Sequence, residues 1–113
     1  MTDTILKAFG QADEVREFPF GRVEIVHINS TVLGRATYQS GWKWSLHNAP
    51  IAGTARCELP HTGVVLSGHA VVVFADGESR DLTPGTAFYI PTTPHDSWVV
   101  GDTIYVSLHV LSA

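Results

Sequence analysis

The sequence predicts an all-β fold in which two antiparallel sheets close into a barrel around an apolar pocket. Short runs rich in Val, Ile, Phe, Tyr and Trp recur along the 113 residues, and such side chains suit a pleated, half-buried surface. Turn-forming pairs such as Asp76-Gly77 and Pro84-Gly85 separate these runs, at the spacing of roughly 8–12 residues that is typical of a sandwich or barrel. No segment shows a sustained apolar repeat of helical period, which excludes alternating strand–helix units.

The chain is predicted to begin with an arm or edge strand over residues 1–20, and the barrel domain follows over residues 21–113. The β-branched run Val23–Ile28 and the run Thr31–Tyr38 are predicted as the first two barrel strands. Further along, Asp76-Gly77 is the clearest hairpin signal, since Asp-Gly supplies the positive φ values of a type I′ turn.

The segment Gly41–His47 is predicted as another strand, in which Trp42 and Trp44 share one face and His47 lies on the other. Two arrangements remain open. In the first, His47 points into the pocket, and either the tryptophans form a dimer anchor outside the barrel or a bulge intervenes. In the second, the tryptophans line the pocket and His47 lies at its rim. The following residues Asn48–Pro60 are interrupted by two prolines and a glycine, and are predicted as a loop or arm.

Composition restricts the partners and the compartment. Hydrophobic residues make up 44% and charged residues 16% of the chain, which favours a homodimer that covers part of the apolar surface. The net charge of −4 comes with no cluster of Lys or Arg, which argues against nucleic acid as a partner. No apolar stretch has membrane-spanning length, and the N-terminus lacks a secretory pattern. The single cysteine, Cys57, fits a reducing cytoplasm.

Three of the six histidines occur in suggestive surroundings. His61 opens an apolar strand that ends at Gly68, His95 follows the run Gly85–Pro91, and His47 lies six residues after Gly41. In order and spacing these segments resemble the two sequence motifs of the cupin family, over about residues 41–100. The resemblance implies a small antiparallel jelly-roll barrel whose histidines and one glutamate bind a divalent metal.

The chain departs from the cupin pattern at the ligand positions. The family's glutamate position is His61, and the second histidine position falls on Ala49, or on Cys57 when counted back from His61 with the tightest spacing. The resemblance therefore implies a metal held by His61 and His95 together with His47, Cys57 or both.

The donor set indicates the metal. Neutral imidazoles suit iron(II), zinc, nickel or copper better than magnesium or calcium. With His61 in place of a carboxylate, the metal would keep its full positive charge and favour an anionic ligand. If Cys57 also coordinates, zinc and iron become more favoured and this charge argument weakens.

Other residues are assigned by their neighbourhood in the sequence. Asp96 alternates with His95 and is expected to be a solvated carboxylate, with support of the metal ligands as the alternative. His109, in the last predicted strand, is the candidate acid/base group. The predicted pocket is lined by Trp44, Phe88 and Tyr105, with Arg56 as a candidate to hold a substrate carboxylate.

Two functions follow from this set. The first is a metalloenzyme, such as a dioxygenase or an isomerase, acting on an oxygen-rich small molecule that carries a carboxylate or carbonyl group. The second is a non-catalytic module that binds or senses a metal or a small molecule. An open coordination position favours the first, whereas Cys57 as a fourth protein ligand that closes a tetrahedron favours the second.

Overall fold

The structure is a computed structural model that describes residues 3–111. These residues form nine strands, one 3₁₀ turn and two single-turn helices. In chain order the elements are the 3₁₀ turn Phe9–Gln11, β1 (Glu14–Phe18), β2 (Gly21–Ile28), β3 (Thr31–Tyr38), α1 (Trp44–His47), α2 (Ala49–Ala52), β4 (His61–Ser67), β5 (Ala70–Phe74), β6 (Ser79–Leu82), β7 (Ala87–Ile90), β8 (His95–Val99) and β9 (Tyr105–Leu111).

Two antiparallel sheets confirm the predicted fold class. The larger sheet has the strand order β1-β2-β3-β9-β4-β7, and the smaller has the order β6-β5-β8. All the paired strands are antiparallel. β1 pairs with β2 at the edge of the larger sheet. The predicted division of the chain after residue 20 stays a prediction. Within residues 3–111, no helix has the length and apolar character needed to cross a membrane.

The core lies between the two sheets. Val65 of β4 and Val72 of β5 are almost fully buried, because alternate side chains of each strand face the opposite sheet. The same alternation along β9 points Tyr105 and Ser107 inward, with 2% and 0% of their surface exposed. The buried apolar cluster comprises Trp42, Val65, Ala70, Val72, Leu82, Ile90, Val99 and Tyr105.

The β5–β6 hairpin forms where it was predicted, but with a different turn. Only Gly77 of the Asp-Gly pair has positive φ, at 91°, so the predicted type I′ turn is wrong. The Gly77 N–H donates to the Phe74 carbonyl at 2.9 Å, and the Asp76 carboxylate accepts the Glu78 N–H at 2.9 Å. The carboxylate thus stabilises a turn that needs one left-handed residue instead of two.

A close approach of two strands depends on Gly63. A Cβ built there would lie 2.1 Å from the carbonyl oxygen of Leu108 in β9, which no side chain can tolerate. Gly63 is paired in register with His109. This glycine therefore lets β4 and β9 approach closely at the point where both strands carry histidines.

Candidate metal centre

Residues 41–57 run along the free edge of β8 without forming the predicted strand. They touch β8 at two bridges, Lys43 with Trp98 and Cys57 with His95, and two single-turn helices lie between these bridges. The strand prediction for Gly41–His47 is wrong because the chain turns into α1. Pro50 at the start of α2 further interrupts pairing of this segment with β8, since proline has no N–H to donate to a sheet.

Asp96 explains why helix α1 forms there. Its carboxylate accepts the Ser45 N–H at 2.9 Å and the Ser45 hydroxyl at 2.7 Å, which satisfies a free donor in the first turn of the helix. The side chain is 4% exposed and lies 3.9 Å from the Lys43 ammonium group. The expectation of a solvated carboxylate is therefore wrong, because α1 covers the face of β8 opposite His95.

The fold directs His47 away from the other candidate ligands. The His47 ring packs against Phe20 at a centroid distance of 4.6 Å, and its Nδ1 accepts the Lys43 N–H at 3.0 Å. The tryptophans face inward, as in the second of the two arrangements. Trp42 is 2% exposed and stacks on Tyr38 at 3.9 Å.

Cys57 is held beside His95 by a reciprocal pair of backbone hydrogen bonds. The Cys57 N–H donates to the His95 carbonyl at 2.8 Å, and the His95 N–H donates to the Cys57 carbonyl at 3.0 Å. Residues paired in this way are direct neighbours whose side chains leave the sheet on the same side. Both residues are only 2% exposed, so the thiol and the imidazole share one buried space.

His61, at the start of β4, completes a group of three metal-ligating side chains. One donor atom from each of Cys57, His61 and His95 lies within 4.8 Å of the other two. The Cys57 Sγ and the His61 Nε2 are 3.4 Å apart. In a tetrahedral zinc site with ordinary Zn–S and Zn–N bond lengths, these ligand atoms would be about 3.6 Å apart. The donors therefore fit a divalent transition metal after small side-chain adjustments.

A hydrogen bond sets the ligating nitrogen of His95. Its Nδ1 lies 2.8 Å from the Thr93 carbonyl oxygen. Because a carbonyl can only accept, Nδ1 carries a proton, and in the neutral ring Nε2 is therefore the nitrogen with a free lone pair. A histidine oriented by a backbone carbonyl in this way is the usual arrangement around a bound metal.

Burial keeps Cys57 and His61 uncharged when no metal is bound. It raises the pKa of the Cys57 thiol. Burial, together with the positive charges that His109 and His95 would carry, also lowers the pKa of His61 to about 4. Binding a metal to this group must therefore release the thiol proton, whereas the imidazole of His61 is already neutral.

His109 lies beside the three donors without joining them. Its ring meets the His61 ring edge-on at a centroid distance of 5.8 Å and the Phe88 ring at 5.5 Å. Its Nε2 is 2.8 Å from the hydroxyl oxygen of the fully buried Ser107. Burial lowers the pKa of His109 to about 4, so its imidazole is neutral at physiological pH.

Two cavities meet at this group. A small one of about 50 Å³ contains the three donors and His109, and the predicted pocket residues Trp44, Phe88 and Tyr105 also line it. The second is an open groove of about 720 Å³ that reaches Cys57, His61 and His109 from outside. Arg56 is exposed and lines neither cavity, because its neighbour Cys57 takes the inward position.

Comparison with known proteins yields only structural matches. No protein-family model and no curated protein matches the sequence. A Klebsiella pneumoniae protein with a double-stranded β-helix domain is 14% identical, with a TM-score of 0.64, over 97% of this chain and 85% of that one. A cupin-2 domain protein of Shewanella frigidimarina is 11% identical, with a TM-score of 0.55, over 80% of this chain and 79% of that one.

A longer enzyme also contains this architecture. The oxalate decarboxylase of Lactobacillus farciminis, solved as a formate complex, is 20% identical with a TM-score of 0.60; the match covers 86% of this chain and 30% of the enzyme. The chain thus has the cupin fold, the double-stranded β-helix, and the resemblance seen in its motifs is confirmed at the level of the fold. It carries a candidate Cys/His/His metal site within that fold.

Proposed function

We propose that this protein is a small metal-binding cupin and that it acts as a metalloenzyme on a compound with a carbonyl or carboxylate group. The observation that carries the proposal is the convergence of Cys57, His61 and His95 at the inner end of a groove. Within residues 3–111, no fourth Cys, His, Asp or Glu joins this group. Three protein ligands with an open position are typical of a catalytic metal site, and four of a structural one.

The donor set favours zinc or iron(II) over nickel and copper among the metals expected from the sequence. One thiolate and two neutral imidazoles suit both ions. The thiolate would lower the net charge of the site by one, so the fully charged metal expected from His61 alone does not apply here. When bound, the metal supplies Lewis-acid polarisation of a carbonyl or carboxylate oxygen.

The surrounding side chains have separate tasks in this proposal. Thr93 orients His95 through its carbonyl, and the aromatic walls, which include Trp44 and Phe88, exclude water. His109, held by Ser107, is the group placed to exchange a proton with a bound substrate. The decarboxylase with a similar fold was solved as a formate complex, which supports a small carboxylate as the head group of the ligand.

Metal analysis tests the ligand set. The untagged protein is reconstituted with zinc, iron(II), nickel or cobalt(II), and its metal content is compared with that of Cys57→Ser and His95→Ala. His47→Ala is the matched control, since His47 lies outside the group. We expect stoichiometric metal in the wild type and the control, and a loss in the other two variants. Wild-type protein without stoichiometric metal would refute the proposal.

Cobalt(II) tests the open position. The cobalt protein should show thiolate-to-metal charge transfer that Cys57→Ser abolishes and His47→Ala keeps. Adding oxalate or acetohydroxamate should then change the ligand-field bands, because a free position can take an outside ligand. Bands that respond to neither compound, together with no turnover of carboxylates and diketones, would instead identify a closed binding or sensing site.

A further inference from the structure

The groove that leads to the metal donors has an unusual lining for a site that handles oxygen-rich compounds. Its volume of about 720 Å³ falls in the range of roughly 300–1,000 Å³ that small-molecule sites occupy. The inner cavity, at about 50 Å³, has room for water but not for a substrate of that size. Any larger ligand that reaches Cys57 and His61 must therefore place its body in the groove.

The walls of the groove are mostly carbon. They come from β1, β2, β3 and β9, from the start of β4 and from the segment that carries α1 and α2. Ala36 is buried at the base with 1% exposure, and its single methyl group leaves space that a larger side chain would fill. The apolar lining residues are Phe18, Val23, Ile25, Ala36, Trp44, Ile51, Ala52, Leu59 and Leu111.

Few polar side chains line the groove apart from the metal donors and His109, namely Arg16, Glu17, Tyr38 and Asn48. The Asn48 side-chain oxygen accepts the Trp42 indole N–H at 2.8 Å. The Arg16 guanidinium pairs with Glu14 at 2.7 Å and is 67% exposed. A polyol or polyanion in the groove would lose more hydrogen bonds to water than these few groups can replace.

The mouth of the groove exposes apolar side chains that a ligand would cover. Ile51 of α2 and Leu59 are 68% and 67% exposed, and both line the groove. Leu46 of α1 is comparably exposed at 65% but does not line it.

From this distribution we infer that the groove selects ligands with an apolar body, an aryl group or a medium-length alkyl chain, and one carbonyl or carboxylate head directed at Cys57, His61 and His109. This inference rests on the proposed function for the identity of the head group alone. The apolar body follows from the walls.

A homologous series tests the inference. Acetate, butanoate, hexanoate and octanoate are titrated into the zinc-loaded protein and into the chelator-treated protein, with calorimetry and tryptophan fluorescence as readouts, since Trp44 forms part of the wall. Each methylene that enters the groove should lower Kd by about fourfold. Gluconate, which has the carbon number of hexanoate but a hydroxylated body, should bind no better than acetate. A Kd independent of chain length, or gluconate binding more tightly than hexanoate, would overturn the inference.

Variants test whether the dependence of Kd on chain length arises in the groove. Ile51→Asp places a charge at the mouth and Ala36→Phe fills the base, so both should flatten the dependence on chain length. Leu46→Asp, an equally exposed change outside the groove, should leave it intact. Ile51 is exposed, so its variant remains informative even if Ala36→Phe does not fold. The inference is also wrong if Leu46→Asp and Ile51→Asp have the same effect.

Metal content separates this inference from the proposed function. If Kd falls steeply with chain length in protein that binds no metal after reconstitution, the result would support the apolar groove and refute the metalloenzyme. If Kd does not depend on chain length in protein with stoichiometric metal, the result would refute the apolar groove alone.

Discussion

Acidification should destabilise the metal-free protein because it must charge two buried imidazoles. Burial is the largest cause that lowers the pKa of His61 and of His109 from 6.5 to about 4. Between these values the unfolded chain binds protons that the folded chain excludes, so the free energy of unfolding falls as the pH decreases through this window. Below about pH 4 both states bind the protons, and these two groups cause no further loss.

The size of the effect follows from the two pKa values. A difference of this size between folded and unfolded protein is equivalent to about 3 kcal/mol for one group. The charge on His109 is itself one cause of the low pKa of His61, so the two contributions are not independent. We expect a combined loss of about 3–6 kcal/mol, a large part of the roughly 5–15 kcal/mol that stabilises a typical domain.

Urea denaturation in the presence of a chelator measures this loss. Unfolding is followed by tryptophan fluorescence between about pH 7.5 and about pH 4.5, the range in which the linkage applies. His109→Gln should remove roughly half of the pH dependence, because glutamine has no proton to bind. His27→Gln, at an exposed position, is the matched control and should keep the wild-type slope. The reasoning is refuted if His109→Gln keeps that slope as well, or if the wild type becomes more stable on acidification.

Two further changes test how the scaffold holds the site. Gly63→Ala should cost about 3 kcal/mol or more, because its methyl group would meet a backbone carbonyl at 2.1 Å, whereas Gly10→Ala has nothing within 4 Å and should be nearly neutral; equal midpoints of thermal unfolding for the two variants would contradict this. Asp96→Ala should cost about 2–4 kcal/mol in urea denaturation, because it leaves two Ser45 donors in a partly buried site unpaired, while the exposed Asp102→Ala should change stability little. A loss no greater for Asp96→Ala than for Asp102→Ala would show that α1 does not depend on the buried carboxylate.

The fold class is encoded in local patterns, which is why the sequence alone predicts it. The strand run Val71–Phe74 and the breaker Asp76-Gly77 act over a few residues, so their effect is visible without tertiary contacts. The turn type at Asp76-Gly77 could not be predicted in the same way. It depends on the Asp76 carboxylate reaching the Glu78 N–H, a competition between two turns that the same residues allow.

The candidate metal donors were only partly predictable. His61 and His95 could be selected from their positions beside strand and turn signals, since those signals set their places in the barrel. The choice between Cys57 and His47 could not be made locally. It depends on Asp96, which lies 51 residues beyond Ser45 and whose buried carboxylate stabilises helix α1.

The sequence by itself determined an all-β barrel with histidines at the ends of its strands, because strand and turn preferences are properties of short segments. Only the tertiary structure decided that Cys57 joins His61 and His95 while His47 packs on Phe20. The physical reason is that neighbours in a sheet are chosen by hydrogen bonds between distant segments. The reciprocal pair between Cys57 and His95 is such a bond, and no spacing in the sequence specifies it.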